Sequence, residues 1–155
     1  MGALSVAAVA LGSNLGDRRG HLQFAISKLD EFLDTPRVSR FYETVPVGVR
    51  GPQSLFLNAA VVGGTKLPAR RLLDLLLAIE SERGRERPFP GAARTLDLDL
   101  VLLGDRVINE PDLTVPHPRF RERRFVLEPL SEVAPELRDP VTGKTVRELF
   151  AMLTK

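Results

Sequence analysis

A chain of 155 residues without a single cysteine is of single-domain size, and it excludes disulfides, thiolate metal sites and cysteine nucleophiles. Its 22 basic and 20 acidic residues leave a net charge of only +2, and no apolar run reaches the roughly 18 residues of a membrane helix. These figures predict one soluble domain over residues 1–155, located in the cytoplasm. Any metal would be held by oxygen or imidazole ligands.

Hydrophobic periodicity predicts six regular elements in the order β, α, β, β, α, β. The first helix is expected to follow Asp17 as its N-cap, and the second to begin near Pro68 and to end at Gly84. Strand patterns occur at four places, namely residues 5–11, 38–42, 57–62 and 96–103. This order predicts an α+β fold, a ferredoxin-like antiparallel sheet with the two helices on one face.

Residues 104–155 extend this unit, and apolar spacing from Val146 to Leu153 predicts a short last helix. The GKT at 143–145 is similar to part of a nucleotide-binding P-loop. That motif also needs a glycine at position 138, which is Arg138 here, and a strand leading into it. Thr145 and Glu148 instead fit a capping box for the last helix.

The stretch RTLDLDLVLLGD at 94–105 combines a strand pattern with two acids on one face. The opposite face is predicted to hold only leucines, at positions 96, 98, 100 and 102. The Cα atoms of Asp97 and Asp99 would lie about 6–7 Å apart, and such a pair costs strand stability unless it is compensated. Two carboxylates without other dedicated ligands suit Mg²⁺, which takes its remaining ligands from water and substrate phosphates. A solvated strand face is the alternative.

Two basic stretches flank this strand in the sequence, ERGRERPFPGAAR at 82–94 and HPRFRERRF at 117–125. Guanidinium groups bind phosphate oxygens in pairs, and Gly84 and Gly91 would permit the first stretch to close over a ligand. The alternative for the first stretch is a mobile charged connector. For the second, a solvated turn and strand or a nucleic-acid patch stays open.

Five segments together resemble the 6-hydroxymethyl-7,8-dihydropterin pyrophosphokinases of folate biosynthesis: ALGSNLGD, FYETVPVG, FLNAAV, RTLDLDLVLLGD and VPHPRFRERRFVLEPL. They cover essentially the whole chain in the right order, and LDLDL followed by VPHPR is the most specific part. The resemblance implies a ferredoxin-like pyrophosphokinase domain that transfers the β,γ-pyrophosphate of ATP to the pterin hydroxymethyl group and releases AMP. It also implies two Mg²⁺ ions, a monomer, and no nucleic-acid or membrane partner.

The resemblance further implies roles for individual residues. Asp97 and Asp99 would bind both magnesium ions and form the catalytic set together with Arg85 and Arg94. The ATP-binding set would be Glu80, Arg85, Arg94, His117 and Arg123. The pterin-binding set would be Thr44, the backbone at Val47, Asn58, and the phenylalanines Phe56 and Phe125 on the two faces of the ring. The chain departs from the family by having Phe56 where a tyrosine is common, and PFPGAAR where some members carry a tryptophan.

An RNA-binding module is the alternative from another class, because ferredoxin-like sheets also serve in RNA recognition and this chain has two arginine clusters. Such modules carry an aromatic-rich strand signature, K/R-G-F/Y-G/A-F-V-x-F/Y, which the sequence lacks. Acids rather than aromatic residues also occupy the predicted central strand. The sequence therefore favours the pyrophosphokinase.

Overall fold

The computed structural model describes residues 4–45, 55–84 and 95–153. A 3-10 turn at Phe120–Glu122 precedes the last two helices. The other elements, in chain order, are β1 (Ser5–Ser13), α1 (Arg18–Asp30), β2 (Asp34–Val38), β3 (Tyr42–Thr44), β4 (Phe56–Thr65), α2 (Ala69–Glu82), β5 (Asp97–Leu103), β6 (Ile108–Glu110), β7 (Leu113–Val115), α3 (Arg124–Val133) and α4 (Val146–Leu153).

Local sequence signals set the ends of three helices as predicted. The side chain of Asp17 accepts a hydrogen bond from the backbone N–H of Gly20 at 3.1 Å, which caps α1. Gly84 follows α2 with φ +79°, a left-handed conformation that ends a helix. The capping box of α4 is also confirmed: the backbone N–H of Thr145 donates to Glu148 at 2.9 Å, and that of Glu148 donates to Thr145 Oγ1 at 3.2 Å.

The strands form an antiparallel sheet in the order β2-β4-β1-β5, with β3 also paired to β4. β6 and β7 form a separate hairpin. The expected combination of helices with an antiparallel sheet is thus confirmed. Within the three described ranges, no helix is both long and apolar enough to cross a membrane.

Helices cover both faces of the sheet. α1 and α2 pack on one face, where residues such as Leu22 and Leu76 contact a core that includes Val61. α3 and α4 pack on the other face, over Ala8 and Val62. The C-terminal extension therefore adds a third layer to the two that were predicted, the sheet and the helices on its first face.

The alternation of side chains in β5 is interrupted by a β-bulge at Val101. Ala8 of β1 pairs with Leu102, whereas its neighbour Val9 pairs with Leu100, so Val101 is an extra residue on β5. Leu102 consequently packs in the core beneath α3, and Leu100 packs beneath α1 and α2. The prediction that Leu102 shares a face with the other leucines was wrong, because one inserted residue reverses the alternation.

The predicted strand at 38–42 was wrong at its centre. Val38 pairs with Val61 and Tyr42 with Asn58, so the chain at 39–41 holds one residue more than the opposing part of β4. The backbone N–H of Ser39 still donates to the carbonyl oxygen of Ala60 at 3.0 Å, but regular pairing stops over these residues, which divide the strand into β2 and β3. The extra residue again reverses the face that the following side chains occupy.

Candidate active site

A cavity of about 870 Å³ lies on the α3 face of the sheet, at the end where β1 and β3 finish and β4 and β5 begin. The sheet forms its floor, and the segment from Arg119 to Glu128 forms the opposite wall. Seven residues predicted from the sequence line it: Thr44, Phe56, Asn58, Asp97, Asp99, Arg123 and Phe125. Side chains that are up to 81 positions apart in the chain therefore share one site.

The register of the strands arranges the floor of this cavity. Gly12 of β1 pairs with Asp97 on one side and with Asn58 on the other, and Ala10 pairs with Asp99. Paired residues lie on the same side of a sheet. The carboxylates of β5 and the amide of Asn58 are therefore separated by two small residues, which leave space for a ligand above the backbone.

The β4 side of the floor holds a hydrogen-bonded pair and an aromatic ring. Thr44 Oγ1 donates to Asn58 Oδ1 at 2.5 Å. The Nδ2 group of Asn58 lies over Gly12, 3.1 Å from the point that a Cβ atom there would occupy, and Cδ1 of Phe56 is 3.6 Å from the same point. On the opposite wall, the guanidinium carbon of Arg123 is 5.5 Å from the centre of the Phe125 ring.

Three glutamates also line the cavity, and each forms an ion pair with an arginine. The nitrogen-to-oxygen distances are 3.0 Å for Arg18–Glu43, 2.9 Å for Arg119–Glu122 and 3.3 Å for Arg124–Glu128. The negative charge of these glutamates is thereby balanced locally. Asp97 and Asp99 lie half-buried on the floor among them.

His117 lies beside β5, next to the cavity. Its backbone N–H donates to the carbonyl oxygen of Val101 at 2.9 Å, and its Nδ1 accepts from the backbone N–H of Arg119 at 3.2 Å. Burial lowers the pKa of His117 below its ordinary value; the charges of Arg123 and Arg119 lower it further, and Asp97 opposes them. The imidazole is therefore neutral at pH 7, and it lies near both Asp97 and the two arginines.

Glu80 lies behind the aspartate strand rather than among the residues that line the cavity. It is only 3% exposed, and its Oε2 accepts a hydrogen bond from the backbone N–H of Leu98 at 2.7 Å. Leu98 stands between Asp97 and Asp99, so Glu80 holds the segment that carries both carboxylates. Its direct contact with ATP stays a prediction.

Val47, Arg85 and Arg94 lie outside the described residues, and their roles also stay predictions. No individual role was predicted for Gly12 or for Arg119, both of which line the cavity. Gly12 lies inside β1, where a glycine permits a close approach to the backbone, but the predicted strand ended at residue 11 and carried no such signal.

Comparison with known proteins decides the family. The model of the family described as 7,8-dihydro-6-hydroxymethylpterin-pyrophosphokinase (HPPK) matches residues 8–135. This chain belongs to that family. A Synechocystis relative named 2-amino-4-hydroxy-6-hydroxymethyldihydropteridine pyrophosphokinase is 41% identical over 146 residues, which are 93% of this chain and 74% of the relative. A Bacillus subtilis protein of the same name is 42% identical over 141 residues, 90% of this chain and 84% of that protein.

Solved structures of similar fold include the wild-type HPPK-DHPS of Plasmodium falciparum, with a TM-score of 0.73 at 17% identity. The match covers 97% of this chain but only 45% of that one. The chain thus spans less than half of the solved protein. At this identity the likeness concerns the fold alone, and it covers nearly all of this HPPK family member.

Proposed function

We propose that this protein transfers the β,γ-pyrophosphate of ATP to the hydroxymethyl group of 6-hydroxymethyl-7,8-dihydropterin and releases AMP, a step of folate biosynthesis. The observation that carries the proposal is one cavity in which the residues predicted for the pterin meet the two carboxylates predicted for the metal. Membership of the HPPK family over residues 8–135 supports it.

The proposal includes one pyrophosphokinase domain over residues 1–155, acting as a monomer in the cytoplasm. It also includes the ferredoxin-like assignment. When β2 and β3 are counted as one bulged strand, the elements up to β5 follow the order βαββαβ, which supports this assignment.

The pterin ring is proposed to lie between Phe56 and Phe125, since one ring comes from the floor and the other from the opposite wall. A flat heteroaromatic ring gains about 1–3 kcal/mol from stacking on an aromatic side chain. The hydrogen bond from Thr44 fixes the orientation of the Asn58 amide, which is then ready to bind the polar edge of the ring. Together these groups hold the hydroxymethyl carbon in one position.

Asp97 and Asp99 fit magnesium, because carboxylate oxygens are ligands that Mg²⁺ prefers and both side chains line the cavity. We propose that they hold two ions; when bound, these would offset the charge of the triphosphate and polarise its β-phosphoryl oxygens. Arg123 and Arg119 line the same cavity and supply donors for further phosphate oxygens. The neutral imidazole of His117 can hydrogen-bond to the nucleotide without adding charge.

In the proposed reaction, the hydroxymethyl oxygen forms a bond to the β-phosphorus as the bond to the α,β-bridging oxygen breaks and AMP leaves. The hydroxyl proton passes to solvent, so no protein nucleophile is needed. The residues of the chain act by holding the two substrates in line and by stabilising charge on the transferred group.

The test is the production of AMP from ATP by purified protein with Mg²⁺, with and without 6-hydroxymethyl-7,8-dihydropterin. AMP and pterin diphosphate are expected in equal amounts, and no AMP is expected without the pterin. Asp97→Asn and Asp99→Asn should each lower turnover by orders of magnitude and leave the melting temperature unchanged or higher. Asp105→Asn is the matched control, since Asp105 is exposed just beyond β5. Near-normal turnover in either variant would overturn the metal assignment.

A further inference from the structure

The bulge between β2 and β3 decides whether Thr44 faces the cavity. Val38 pairs with Val61, on the side of α1 and α2, and a regular strand would place Thr44 on that side as well. The extra residue at 39–41 reverses the alternation, so Thr44 lies on the α3 side. The bulge is therefore a condition for the hydrogen bond of 2.5 Å between Thr44 and Asn58.

A bulge removes backbone groups from the ladder, and two side chains bind those groups here. Ser39 Oγ accepts from the backbone N–H of Ala60 at 2.9 Å and donates to the carbonyl oxygen of Arg40 at 2.7 Å. The backbone N–H of Arg40 donates to both carboxylate oxygens of Glu132, each at 3.1 Å. Glu132 belongs to α3, so a residue 92 positions away supplies the acceptor for the backbone N–H of Arg40 in the bulge.

Glu132 accepts two further hydrogen bonds from the same short segment. Tyr42 Oη donates to its Oε1 at 2.6 Å, and Arg40 Nε donates to the same oxygen at 3.3 Å. Burial alone would raise the pKa of Glu132, but the donors Tyr42 and Arg40 outweigh burial and hold that pKa below its ordinary value. The carboxylate is therefore charged at neutral pH and ties the start of β3 to α3.

Both sides of the pterin pocket are attached to this one carboxylate. On β3, Thr44 follows Tyr42 by two residues and lies on the same face. On α3, Phe125 precedes Glu132 by seven residues, which is two helical turns on the same side of the helix and about 10 Å along its axis. The contact of Glu132 with the bulge consequently fixes how β3 stands relative to the helix that carries Phe125.

We propose that Glu132 is a positioning residue for the pterin: it holds Thr44 and Phe125 at the separation and orientation that the ring requires, without touching the ring itself. The inference rests on the proposed function, since it assigns a part of the same site. A merely structural carboxylate would affect the stability of the fold and the amount of active protein. A positioning residue affects the affinity for the pterin selectively.

The experiment uses Glu132→Gln, Tyr42→Phe and the matched control Glu136→Gln. The control removes an exposed ion pair of 2.9 Å between Glu136 and Arg147, away from the bulge. For each protein, pterin affinity is measured by titration without ATP, the KM for ATP and kcat by AMP production, and stability by thermal unfolding. The ¹⁵N–¹H signal of the Arg40 amide reports the contact with the carboxylate directly.

Glu132→Gln is expected to weaken pterin binding about tenfold, to move the Arg40 signal, and to leave the KM for ATP within about twofold. Tyr42→Phe should weaken pterin binding about threefold. The pterin affinity of the double variant should equal that of Glu132→Gln within a factor of two, because the two groups act through one contact. The control should match the wild type.

Pterin affinity that stays unchanged while the melting temperature falls would overturn the inference, and so would equal losses for pterin and ATP. If Glu132→Gln does not fold, Tyr42→Phe decides, and unchanged pterin affinity in that variant overturns the inference. A wild type that binds no pterin overturns the proposed function and this inference with it. A wild type that binds pterin no better than either variant overturns the inference alone.

Discussion

One added methyl group, in Gly12→Ala, tests the floor of the cavity. The new Cβ would lie 3.1 Å from Asn58 Nδ2 and 3.6 Å from Cδ1 of Phe56. A comfortable contact between such atoms begins near about 3.5 Å, so the Asn58 amide must move by roughly 0.4 Å. That amide already accepts a hydrogen bond of 2.5 Å from Thr44, which the movement strains.

The expected effect follows from the loss of about one well-formed hydrogen bond. Such a bond contributes about 0.5–1.5 kcal/mol, which corresponds to a pterin affinity roughly 2- to 12-fold weaker. The phenylalanine contact at 3.6 Å is ordinary, so stacking should survive. ATP affinity should change by less than about twofold, because the methyl group points at Asn58 and Phe56 rather than at the aspartates.

Isothermal titration with each ligand separately, together with thermal unfolding, provides the measurement. Gly64→Ala is the matched control: it lies in β4 of the same sheet, and its Cβ would meet Leu4 Cδ1 at 3.4 Å, far from the cavity. Removing a glycine from a strand should raise stability slightly in Gly64→Ala, whereas in Gly12→Ala the strain at Asn58 offsets this gain. Pterin affinity unchanged in Gly12→Ala, or weakened equally in Gly64→Ala, would refute the proposed position of the pterin edge.

Three further substitutions test the two aromatic rings of the site and the anchoring of the extension. Phe56→Ala and Phe125→Ala should each weaken pterin binding by about 1–3 kcal/mol in calorimetry and leave ATP binding without pterin unchanged; equal losses for both ligands would indicate a core role instead. Asp139 is fully buried and accepts from Arg121 at 2.5 and 3.0 Å, so Asp139→Asn should lower the free energy of unfolding in urea by about 3 kcal/mol at pH 7. Burial alone would raise the pKa of Asp139, but the hydrogen bond from Arg121 leads the effects that hold it below its ordinary value. The carboxylate therefore stabilises the fold fully above the unfolded pKa of about 3.9, and this stabilisation is lost as the pH falls further. A difference in the free energy of unfolding between variant and wild type that is as large at pH 3 as at pH 7 would contradict the assignment.

Elements whose signals are local could be predicted from the sequence. Asp17 and Gly84 mark the ends of helices by their own conformational preferences, and the apolar spacing of α4 is complete within one short segment. The two bulges could not be predicted in this way. Val101 and the residues at 39–41 are extra only relative to the strands that pair beside them, and those pairings are properties of the whole sheet.

α3 was missed because its sequence argues against a helix. It begins in an arginine-rich stretch that fits a turn and strand, it is only 10 residues long, and it contains Pro129. Packing of Val126, Leu127 and Leu130 on the sheet stabilises it nonetheless. The candidate site was predicted through its motif residues, whereas the contact between Tyr42 and Glu132, 90 positions apart, depends on where α3 docks.

The position of α3 and α4 along the chain has a consequence for how the protein emerges from the ribosome. Every strand of the main sheet is complete by residue 103, yet the helices that cover its second face end only at residue 153. At about 5–20 residues per second, translation of the intervening stretch takes roughly 2.5–10 s. Until α3 and α4 are made, Ala8, Ala60, Val62 and Leu102 lack the apolar side chains that cover them in the folded protein. The cavity is complete only when the segment that carries Phe125 docks over that face.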